Sequence, residues 1–418
     1  MDALTTPLNW QRVRLGDMTT SFTKQTGFDY SDFIKPTLIK EYLPNYIPFI
    51  QNKDFLGHYI NYKTDYFIPN EIAIRFPQIL LNEKCLLISI SGAIGNVAVF
   101  NHSQDAFIGG AIAVLKFKEK KSLDFVMHFL MSDSGQKLLL NGVKSSSHKN
   151  LTIADLRDLP IPLPPLNEQI AIANVLSDVD RYLYSLDALI LKKESVKKAL
   201  SFELLSQRKR LKGFNQAWQR VRLGDIGITI SGLVGKTKQD FINGNAKYIT
   251  FLNVLNNVII DTSILENVKI YPNEKQNSFK KYDLFFNTSS ETPKEVGMCA
   301  VLLDDIDQVF LNSFCFGFRI FDKAVDGLFL SYLINSEIGR KAFENLAQGS
   351  TRYNLSKSGF NNVCLFLPSL DEQIAIANVL SDLDSEIISL KNKKRQFENI
   401  KKALNHDLMS AKIRVLNK

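Results

Sequence analysis

The chain has little cysteine, little histidine and no long apolar segment. Its 418 residues include four cysteines and five histidines, and neither residue type recurs at a spacing that suits a metal. No apolar run reaches the roughly 18 residues that a membrane-spanning helix needs. The first residues, MDALTTPLNW, lack the basic and apolar regions of a signal peptide. We therefore expect a cytoplasmic protein with reduced, mostly buried thiols and no resident metal.

Motifs for nucleotide binding and methyl transfer are also missing. There is no Asn-Pro-Pro-aromatic sequence and no glycine-rich cofactor loop. SGLVGKT at residues 231–237 resembles a phosphate loop, but Ile230 stands where the first glycine of that loop is required. SGAIG at residues 91–95 lacks the full dinucleotide fingerprint and is interpreted as a turn between strands. These absences predict a protein without catalytic activity or cofactors of its own.

Two stretches of the chain occur twice. EQIAIANVLSD fills residues 168–178 and, 204 positions later, residues 372–382; WQRVRLGD fills residues 10–17 and 218–225. Between these repeated ends the two halves share little identity. The chain is therefore predicted to be a tandem duplication, in which one scaffold presents two different surfaces.

Each copy of EQIAIANVLSD opens a run of positions spaced alternately four and three residues apart. The first run comprises Ile172, Leu176, Val179, Leu183, Leu186, Ile190, Lys193, Lys197, Leu200 and Leu204. The second comprises Ile376, Leu380, Leu383, Ile387, Leu390, Lys394, Phe397, Lys401, Leu404 and Leu408. A mainly apolar period of 3.5 residues is typical of a coiled-coil seam. We expect each half to end in a long helix and the two helices to pair.

The connectivity favours an antiparallel pair. Helix one leaves the first globular segment and ends at the second, where helix two must begin. Residue i of helix one then faces residue j of helix two where i plus j is near 580. This places Lys193 beside Ile387, with the lysine ammonium group in water. Helices of about 40–45 residues would be roughly 60–68 Å long, so we expect a rod that holds the two domains apart.

The fold class predicted from these patterns is α+β. The globular segments contain short apolar runs bounded by Gly or Asn, such as residues 85–90, 96–100 and 111–117, which favour an antiparallel or mixed sheet. Helical spacing follows at residues 124–140 and 328–346. Proline-bearing strands then lead to Asn167 and Asp371, the predicted helix N-caps. The predicted boundaries are 1–165 for domain 1, 166–212 for helix one, 213–369 for domain 2 and 370–418 for helix two.

Each globular segment carries a hydroxyl-rich, basic loop at the same place. KSSSHKNLT fills residues 144–152 and GSTRYNLS fills residues 349–356, with their Asn-Leu pairs aligned. Such side chains donate to phosphates and read base edges, although they also cap ordinary turns. The predicted nucleic-acid-binding residues are Ser146, Ser147, His148, Lys149, Asn150, Ser350, Thr351, Arg352 and Asn354.

The repeated stretch predicts a second interface. A coiled-coil seam does not fix outward-pointing residues, yet both copies are identical at every position. We therefore predict that this face binds another protein twice per chain. The residues assigned to it are Glu168, Gln169, Asn174, Glu372, Gln373 and Asn378.

The positive charge of the chain is concentrated in the helical segments. The formal net charge is +8. Residues 181–212 and 386–418 each carry nine Lys or Arg against three Asp or Glu, so the remainder of the chain is slightly acidic. A basic surface suits a polyanionic partner. Solvated helix faces, contacts with DNA phosphates and contacts with an acidic protein all remain open interpretations.

The ordered set of motifs resembles one family. Each half reads W-x-x-x-x-L-G-D, then Ser-x-x-x-Asn-Leu, then a proline-bearing strand, then L-x-E-Q-x-x-I-A-x-x-L-S-x-x-D. Over nearly its whole length the chain resembles the specificity subunit of type I restriction–modification systems. Loops of that family usually begin Gly-Ser. Gly349 and Ser350 match this pattern, whereas Ser145 and Ser146 depart from it.

The resemblance implies a DNA-reading function without catalysis. Each globular segment would be a target recognition domain for one half of a split site in double-stranded DNA. The paired helices would set the spacing between half-sites and dock two methyltransferase subunits and, through them, restriction subunits. S-adenosylmethionine, ATP and Mg would then bind to those partner subunits, in a prokaryotic cytoplasm. A coiled-coil adaptor that does not touch DNA and a fused nuclease are the alternatives.

Overall fold

The computed structural model describes residues 9–25, 27–57, 59–141, 150–344, 346, 349 and 353–415. The chain divides into two compact units. Unit 1 comprises Met1–Asp187 and Asn392–Lys418, and unit 2 comprises Ala188–Lys391. Each unit therefore contains one globular segment together with part of each long helix.

Unit 1 is built on two four-stranded sheets and two two-stranded sheets, β1-β12 and β4-β5. One sheet has the order β2-β11-β8-β9 and is antiparallel, and the other, β6-β3-β10-β7, includes the parallel pair β3 and β10. The mixed arrangement confirms the predicted sheet type. The strands are β1 Gln11–Arg14, β2 Thr19–Lys24, β3 Tyr46–Ile50, β4 Phe55–Leu56, β5 Tyr59–Ile60, β6 Phe67–Pro69, β7 Leu80–Leu81, β8 Cys85–Ser89, β9 Val97–Phe100, β10 Ala106–Ile108, β11 Ile112–Phe117 and β12 Pro160–Leu163.

The helices of unit 1 surround these sheets. The helix predicted over residues 124–140 is in fact two helices, α3 and α4, because the chain breaks at Ser132, whose hydroxyl accepts from the amide of Gly135 at 3.1 Å and so starts the second helix. The helices are α1 Gly27–Asp29, α2 Asn70–Ala73, α3 Leu123–Met131, α4 Asp133–Asn141, α5 Ile153–Arg157 and α6 Leu166–Leu205, of which α6 continues into unit 2.

Unit 2 repeats the frame of unit 1. Its antiparallel sheet has the order β14-β21-β17-β19, which matches β2-β11-β8-β9 strand for strand, and its second sheet again contains a parallel pair, β15 and β20. The strands are β13 Gln219–Arg222, β14 Gly227–Ser231, β15 Ala246–Ile249, β16 Glu266–Val268, β17 Leu284–Asn287, β18 Ser289–Ser290, β19 Cys299–Val301, β20 Val309–Leu311, β21 Cys315–Ile320, β22 Tyr353–Asn354 and β23 Cys364–Leu367.

The helices of unit 2 follow the same plan. The predicted helix over residues 328–346 is again split, here at Ser336, whose hydroxyl accepts from the amide of Gly339 at 3.2 Å. The helices are α7 Leu223–Ile226, α8 Phe251–Asn256, α9 Gly327–Asn335, α10 Glu337–Glu344, α11 Lys357–Asn361 and α12 Leu370–Met409, of which α12 continues into unit 1.

The repeated WQRVRLGD segments pack against the core of the unit to which each belongs. β1 pairs antiparallel with β12, and β13 pairs with β23 in the same register. Trp10 is buried edge-to-face on Phe125 with ring centroids 6.0 Å apart, and Trp218 meets Phe329 in the same way at 5.9 Å. A buried tryptophan contributes a large apolar area to a core. Identity between these segments therefore reflects their identical packing.

The cysteines confirm the sequence prediction. All four are free; Cys85, Cys299 and Cys315 are buried, and Cys364 is partly exposed. Burial disfavours the thiolate. It raises the pKa of the Cys85 thiol to about 12 and also raises the pKa of the Cys299 and Cys315 thiols. These three thiols are core residues without reactive character.

The long helices pair antiparallel within each unit. In unit 1 the ring of Tyr182 on α6 meets that of Phe397 on α12 with centroids 4.6 Å apart. In unit 2, Lys193 on α6 contacts Glu386 on α12 at 2.7 Å. Each pair of residue numbers sums to 579, as the antiparallel register predicted. The helices begin at Leu166 and Leu370, so the prediction that Asn167 and Asp371 are N-caps is wrong: both lie in the first turn.

Ion pairs replace apolar contacts where lysines interrupt the seam. Lys401 meets Asp180 in unit 1, and the equivalent Lys197 meets Asp384 in unit 2. Carboxylates from the opposite helix accept from both ammonium groups, and the side chains of Lys401 and Lys197 remain 27% and 25% exposed. Burial raises the pKa of the Asp180 carboxyl above its ordinary value, whereas the hydrogen bond and the charge of Lys401 lower it.

Candidate nucleic-acid interface

Only the ends of the two predicted DNA-binding loops lie among the described residues. Asn150 and Asn354 are described and exposed. The other residues assigned to the loops lie outside the described residues, and their predicted role remains a prediction. These residues are Ser146, Ser147, His148, Lys149, Ser350, Thr351 and Arg352.

In unit 1 the loop end is fixed against the chain that follows β8. Asn150 forms an antiparallel bridge with Ser91. The next residue, Leu151, is buried, and its amide donates to the carbonyl oxygen of Ile90 at 3.0 Å. Since successive side chains of an extended chain point to opposite sides, burial of Leu151 leaves Asn150 facing outward.

In unit 2 the same arrangement recurs. Asn354 pairs with Ser289 in a two-stranded antiparallel ladder. Leu355 is buried, and its amide donates to the carbonyl oxygen of Thr288 at 2.8 Å. The Asn-Leu pair thus has one function in both halves. Leucine anchors the end of the loop in the core, and asparagine presents a donor and an acceptor at the surface.

The capped-turn interpretation is correct for the hydroxyl residues that follow the Asn-Leu pairs. The Thr152 hydroxyl accepts from the amide of Asp155 at 3.1 Å and caps α5. The Ser356 hydroxyl accepts from the amide of Gly359 at 3.0 Å and caps α11. These two residues are therefore committed to the local fold.

The structure adds a segment that the sequence prediction missed. Beside each loop end lies a turn, formed by residues 91–96 in unit 1 and 289–296 in unit 2, which we call the adjacent turn. Each contains the residue that pairs with the loop end, Ser91 or Ser289, and lies shortly after a strand of the antiparallel sheet, β8 or β17. The sequence signal was present, since SGAIG reads as a turn. Nothing in the sequence placed that turn against residues 150 and 354.

The prediction that Gln169 points outward is wrong, and three further residues assigned to partner binding are also buried. Glu168 and Gln169 are only 4% and 3% exposed, and Glu372 and Gln373 are 0% and 1% exposed. Gln169 donates to the carbonyl oxygen of Pro164 at 2.7 Å, and Gln373 donates to that of Pro368 at 2.9 Å. These glutamines hold the proline-bearing strand against the first turn of the helix.

The two buried glutamates accept from arginines that lie just beyond the end of the opposite helix. In unit 2, Arg210 forms a bidentate contact with Glu372, with both distances 2.6 Å. In unit 1, Arg414 contacts Glu168 at 2.7 and 2.9 Å. A buried carboxylate requires such a partner. The identity of both Glu-Gln pairs therefore has a cause inside each unit.

Asn174 and Asn378 are exposed on their helices. Neither contributes to the buried core of its unit, so the structure leaves them available on the surface. Their predicted role in partner binding remains a prediction.

Much of the positive charge on the helices is compensated within each unit. Carboxylates pair with Lys193, Lys197, Lys394, Lys401, Arg210 and Arg414. Lys394, for example, meets Asp187 at 2.6 Å, and this hydrogen bond raises the pKa of the lysine. These six residues therefore serve the helix pairing, as does Lys391, which meets Glu194 of the opposite helix at 2.7 Å. The basic residues outside these pairs keep the open interpretations.

Neither a metal site nor a membrane span emerges from the described part of the chain. Among those residues, no group of three or more His, Cys, Asp or Glu side chains could hold a metal ion. No helix built from them is long and apolar enough to cross a bilayer.

Comparison with known proteins gives one consistent result. The family model described as the type I restriction modification DNA specificity domain matches residues 7–193 and again 215–399. The type I restriction enzyme MjaVIII specificity subunit of Methanocaldococcus jannaschii is 26% identical over 434 aligned positions, covering 100% of this chain and 96% of that protein. The EcoBI specificity subunit of Escherichia coli is 26% identical over 29% of this chain and 26% of its own length.

The fold also has solved counterparts. The crystal structure of a type I restriction-modification S subunit from M. genitalium superposes with a TM-score of 0.62 at 17% identity, covering 97% of both chains. A second structure, from a study of complex assembly and conformational transition in a type I system, gives a TM-score of 0.52 at 14% identity, covering 97% of this chain and 98% of that one. At these identities the likeness shows the shared fold.

Proposed function

Because this chain belongs to the type I restriction–modification DNA specificity family, we propose that it supplies the sequence specificity of a type I restriction–modification complex. In this proposal each unit binds one half of a split site in duplex DNA. The observation that carries the proposal is the duplicated frame, in which each unit presents an exposed asparagine and an adjacent turn at an equivalent place. The surrounding surface residues differ between the units, as two different half-sites require.

The adaptor alternative predicts a chain that joins proteins without touching DNA. A gel-shift titration of the complete complex at several salt concentrations separates the two functions. Phosphate contacts make log K fall linearly with log salt, with a slope of about −0.9 per contact. We expect such a slope together with preference for one bipartite sequence. Sequencing modified adenines in the source genome identifies that sequence. A complex that retains no DNA at low salt would contradict the proposal.

The proposal includes two methyltransferase subunits per chain. Its support is the repeated helix start, which offers two equivalent faces, each with one exposed asparagine at position 174 or 378. Native mass measurement of the reconstituted methyltransferase is expected to give two modification subunits for each specificity chain. A 1:1 complex that persists in excess partner would contradict this stoichiometry. Restriction subunits are proposed to join through the methyltransferase subunits.

The proposal also assigns the chemistry to the partners. S-adenosylmethionine, ATP and Mg would bind to the methyltransferase and restriction subunits. Equilibrium dialysis with labelled S-adenosylmethionine is expected to show no binding to the isolated chain and clear binding to the complex. Binding by the isolated chain would contradict the assignment.

A further inference from the structure

We propose that the adjacent turn of each unit reads DNA bases beside the exposed asparagine of that unit, Asn150 or Asn354, and that Thr292 and Lys294 determine specificity in unit 2. This inference rests on the proposed DNA-reading function and adds residues to it. Residues directly opposite in an antiparallel pair have Cα atoms within about 5.5 Å of each other. A base edge that reaches Asn354 therefore also lies near the chain at Ser289.

The exposed side chains of the adjacent turn in unit 2 are suited to hydrogen bonds with base edges. Glu291, Thr292 and Lys294 are all exposed. Lysine donates to guanine, threonine can contact several bases, and glutamate accepts from the amino group of cytosine. A carboxylate beside phosphates would be repelled, whereas the same carboxylate at a base amino group forms a hydrogen bond. The composition of the turn therefore favours sequence reading over general attraction to the backbone.

A turn that contacts specific bases must be held in one conformation. In unit 2 the buried side-chain amide of Asn287 holds it. Asn287 is 0% exposed. Its side-chain nitrogen donates to the carbonyl oxygen of Glu295 at 2.8 Å, and its side-chain oxygen accepts from the amide of Met298 at 2.7 Å. Gly297 has φ of 72°, and a Cβ there would lie 2.8 Å from the ring of Phe343. The far end of the turn is thus fixed by both hydrogen bonding and packing.

A second clamp comes from the neighbouring helix. In unit 2, Arg340, the fourth residue of α10, donates to the carbonyl oxygen of Gly297 at 2.9 Å. In unit 1, Gln136, the fourth residue of α4, donates to the carbonyl oxygen of Gly95, also at 2.9 Å. Two different side chains make the same bond at equivalent places. The frame of the turn is therefore constant while its exposed residues differ, which is the arrangement expected of a specificity device.

The turn in unit 1 has a shorter support of the same kind. The hydroxyl of Ser89, which is fully buried, donates to the carbonyl oxygen of Ala93, and the amide of Ser89 donates to that of Asn96 at 2.8 Å. Asn52 donates to the carbonyl oxygen of Ser91 at 2.6 Å. Asn96 and Ala93 are exposed in this turn. We assign Asn96 as its base-reading side chain, since asparagine pairs well with adenine.

The test uses the full chain with its methyltransferase partner and selection from randomised duplex DNA. Thr292→Ala with Lys294→Ala is expected to relax or change the base preference at one or two positions of the half-site read by unit 2. Affinity for the original site should fall roughly tenfold to a hundredfold. The half-site read by unit 1 should be unchanged. Lys247→Ala, at an exposed position on β15, is the matched control and should leave both half-sites unchanged.

Two outcomes distinguish failure of the proposed DNA-reading function from failure of the base-reading role of the turn. If the wild-type complex selects no sequence, the proposed function fails. If the wild-type selects a bipartite site and the folded double variant selects the same site with equal affinity, only the inference is overturned. Should the double variant fail to fold, Lys294→Gln at the same exposed position gives the decision by the same readout.

Arg340 and Gln136 are positioning residues, and their test uses their equivalence. Arg340→Gln places in unit 2 the side chain that makes the bond in unit 1, and it should keep the base preference. Arg340→Ala should broaden the base preference at the half-site read by unit 2. This broadening should appear at temperatures well below the melting temperature of the variant. Equal selectivity of the Ala and Gln variants would show that this bond does not position the turn.

Discussion

At the scale of single residues, burial and exposure divide the repeated sequence into two parts. Glu168 and Glu372 are buried against arginines, whereas Asn174 and Asn378 are exposed. Identity in one stretch therefore has two separate causes. The Glu-Gln pairs are explained by the fold of each unit, and the exposed asparagines are left for a partner to explain.

Asp180 gives a pH-dependent prediction. Its side chain is 3% exposed and that of Lys401 is 27% exposed, so Lys401→Met removes the ammonium group that pairs with a buried carboxylate. Such a loss costs about 3 kcal/mol at neutral pH. The folded-state pKa of Asp180 is already raised, so its contribution to stability is present at low pH and declines as pH rises. The variant should raise this pKa further, and its deficit should grow from about pH 4 to pH 7.

Thermal unfolding of both proteins across that pH range measures the effect. His128 lies 3.9 Å from Asp180 and responds to the same loss of charge, so the comparison is repeated with His128→Gln in both proteins to isolate the effect of the lysine. Lys402→Met changes an exposed neighbour and should cost little at any pH. Adding Asp180→Asn to Lys401→Met should recover most of the lost stability. A deficit that stays constant with pH would contradict this account.

The predicted loops give a second test at the residue scale. Arg352→Ala with Asn354→Ala should weaken binding to the cognate site roughly tenfold to a hundredfold, because base contacts by such side chains are each worth about 1–3 kcal/mol. His148→Ala with Lys149→Ala should act in the same way on the other half-site. Competition gel shifts measure both effects. Unchanged affinity in folded variants would leave the loops as capped turns only.

At the scale of elements, the pairing of α6 with α12 depends on ionic contacts as well as apolar ones. The rings of Tyr182 and Phe397 meet across the pair in unit 1 at an angle of 52°, and Lys193 pairs with Glu386 across it in unit 2. The stems of half-buried seam lysines can lie beside apolar neighbours while their ammonium groups pair with carboxylates. The antiparallel register supplies one for each of these lysines.

A cysteine cross-link tests that register. Tyr182→Cys with Phe397→Cys should form an intramolecular disulfide under mild oxidation, in a chain whose partly exposed Cys364 is replaced by Ser. Peptide mass mapping without reduction detects the bond. Lys193→Cys with Phe397→Cys is the control, since only a parallel pairing in register would bring these two positions together. A cross-link in the control and not in the test variant would contradict the antiparallel register.

At the scale of the whole molecule, we predict that helix length sets the spacing between the two half-sites. Inserting one heptad after Leu186 and another after Leu390 keeps the seam period and adds about 10 Å to each helix at 1.5 Å per residue. About three base pairs of DNA span that distance at 3.4 Å each. Selection from DNA with varied gaps should then favour a gap about three base pairs longer, with some loss of affinity from the altered twist.

The outcome of that selection shows which part of the complex sets the gap between half-sites. An insertion of seven alanine-rich residues in α6 alone shifts α6 out of register with α12. This variant shows what loss of helix pairing does to folding and to DNA selection. If the doubly extended protein folds and still selects the original gap, the helices do not set the spacing. The recognition domains or the methyltransferase subunits would then set it.

The sequence by itself determined the duplication, the α+β class, the two long helices and their antiparallel register. The duplication follows from identity along the chain, the helices and strands follow from hydrophobic periodicity, and the register follows from the order in which the chain connects helices and domains. It also placed the exposed asparagines 150 and 354. Tertiary structure alone decided that Glu168, Gln169, Glu372 and Gln373 are buried, because burial depends on what the rest of the unit lays over a helix. It alone brought the adjacent turns beside the loops, since strand pairing joins residues more than fifty positions apart, and spacing along a chain carries no record of such a contact.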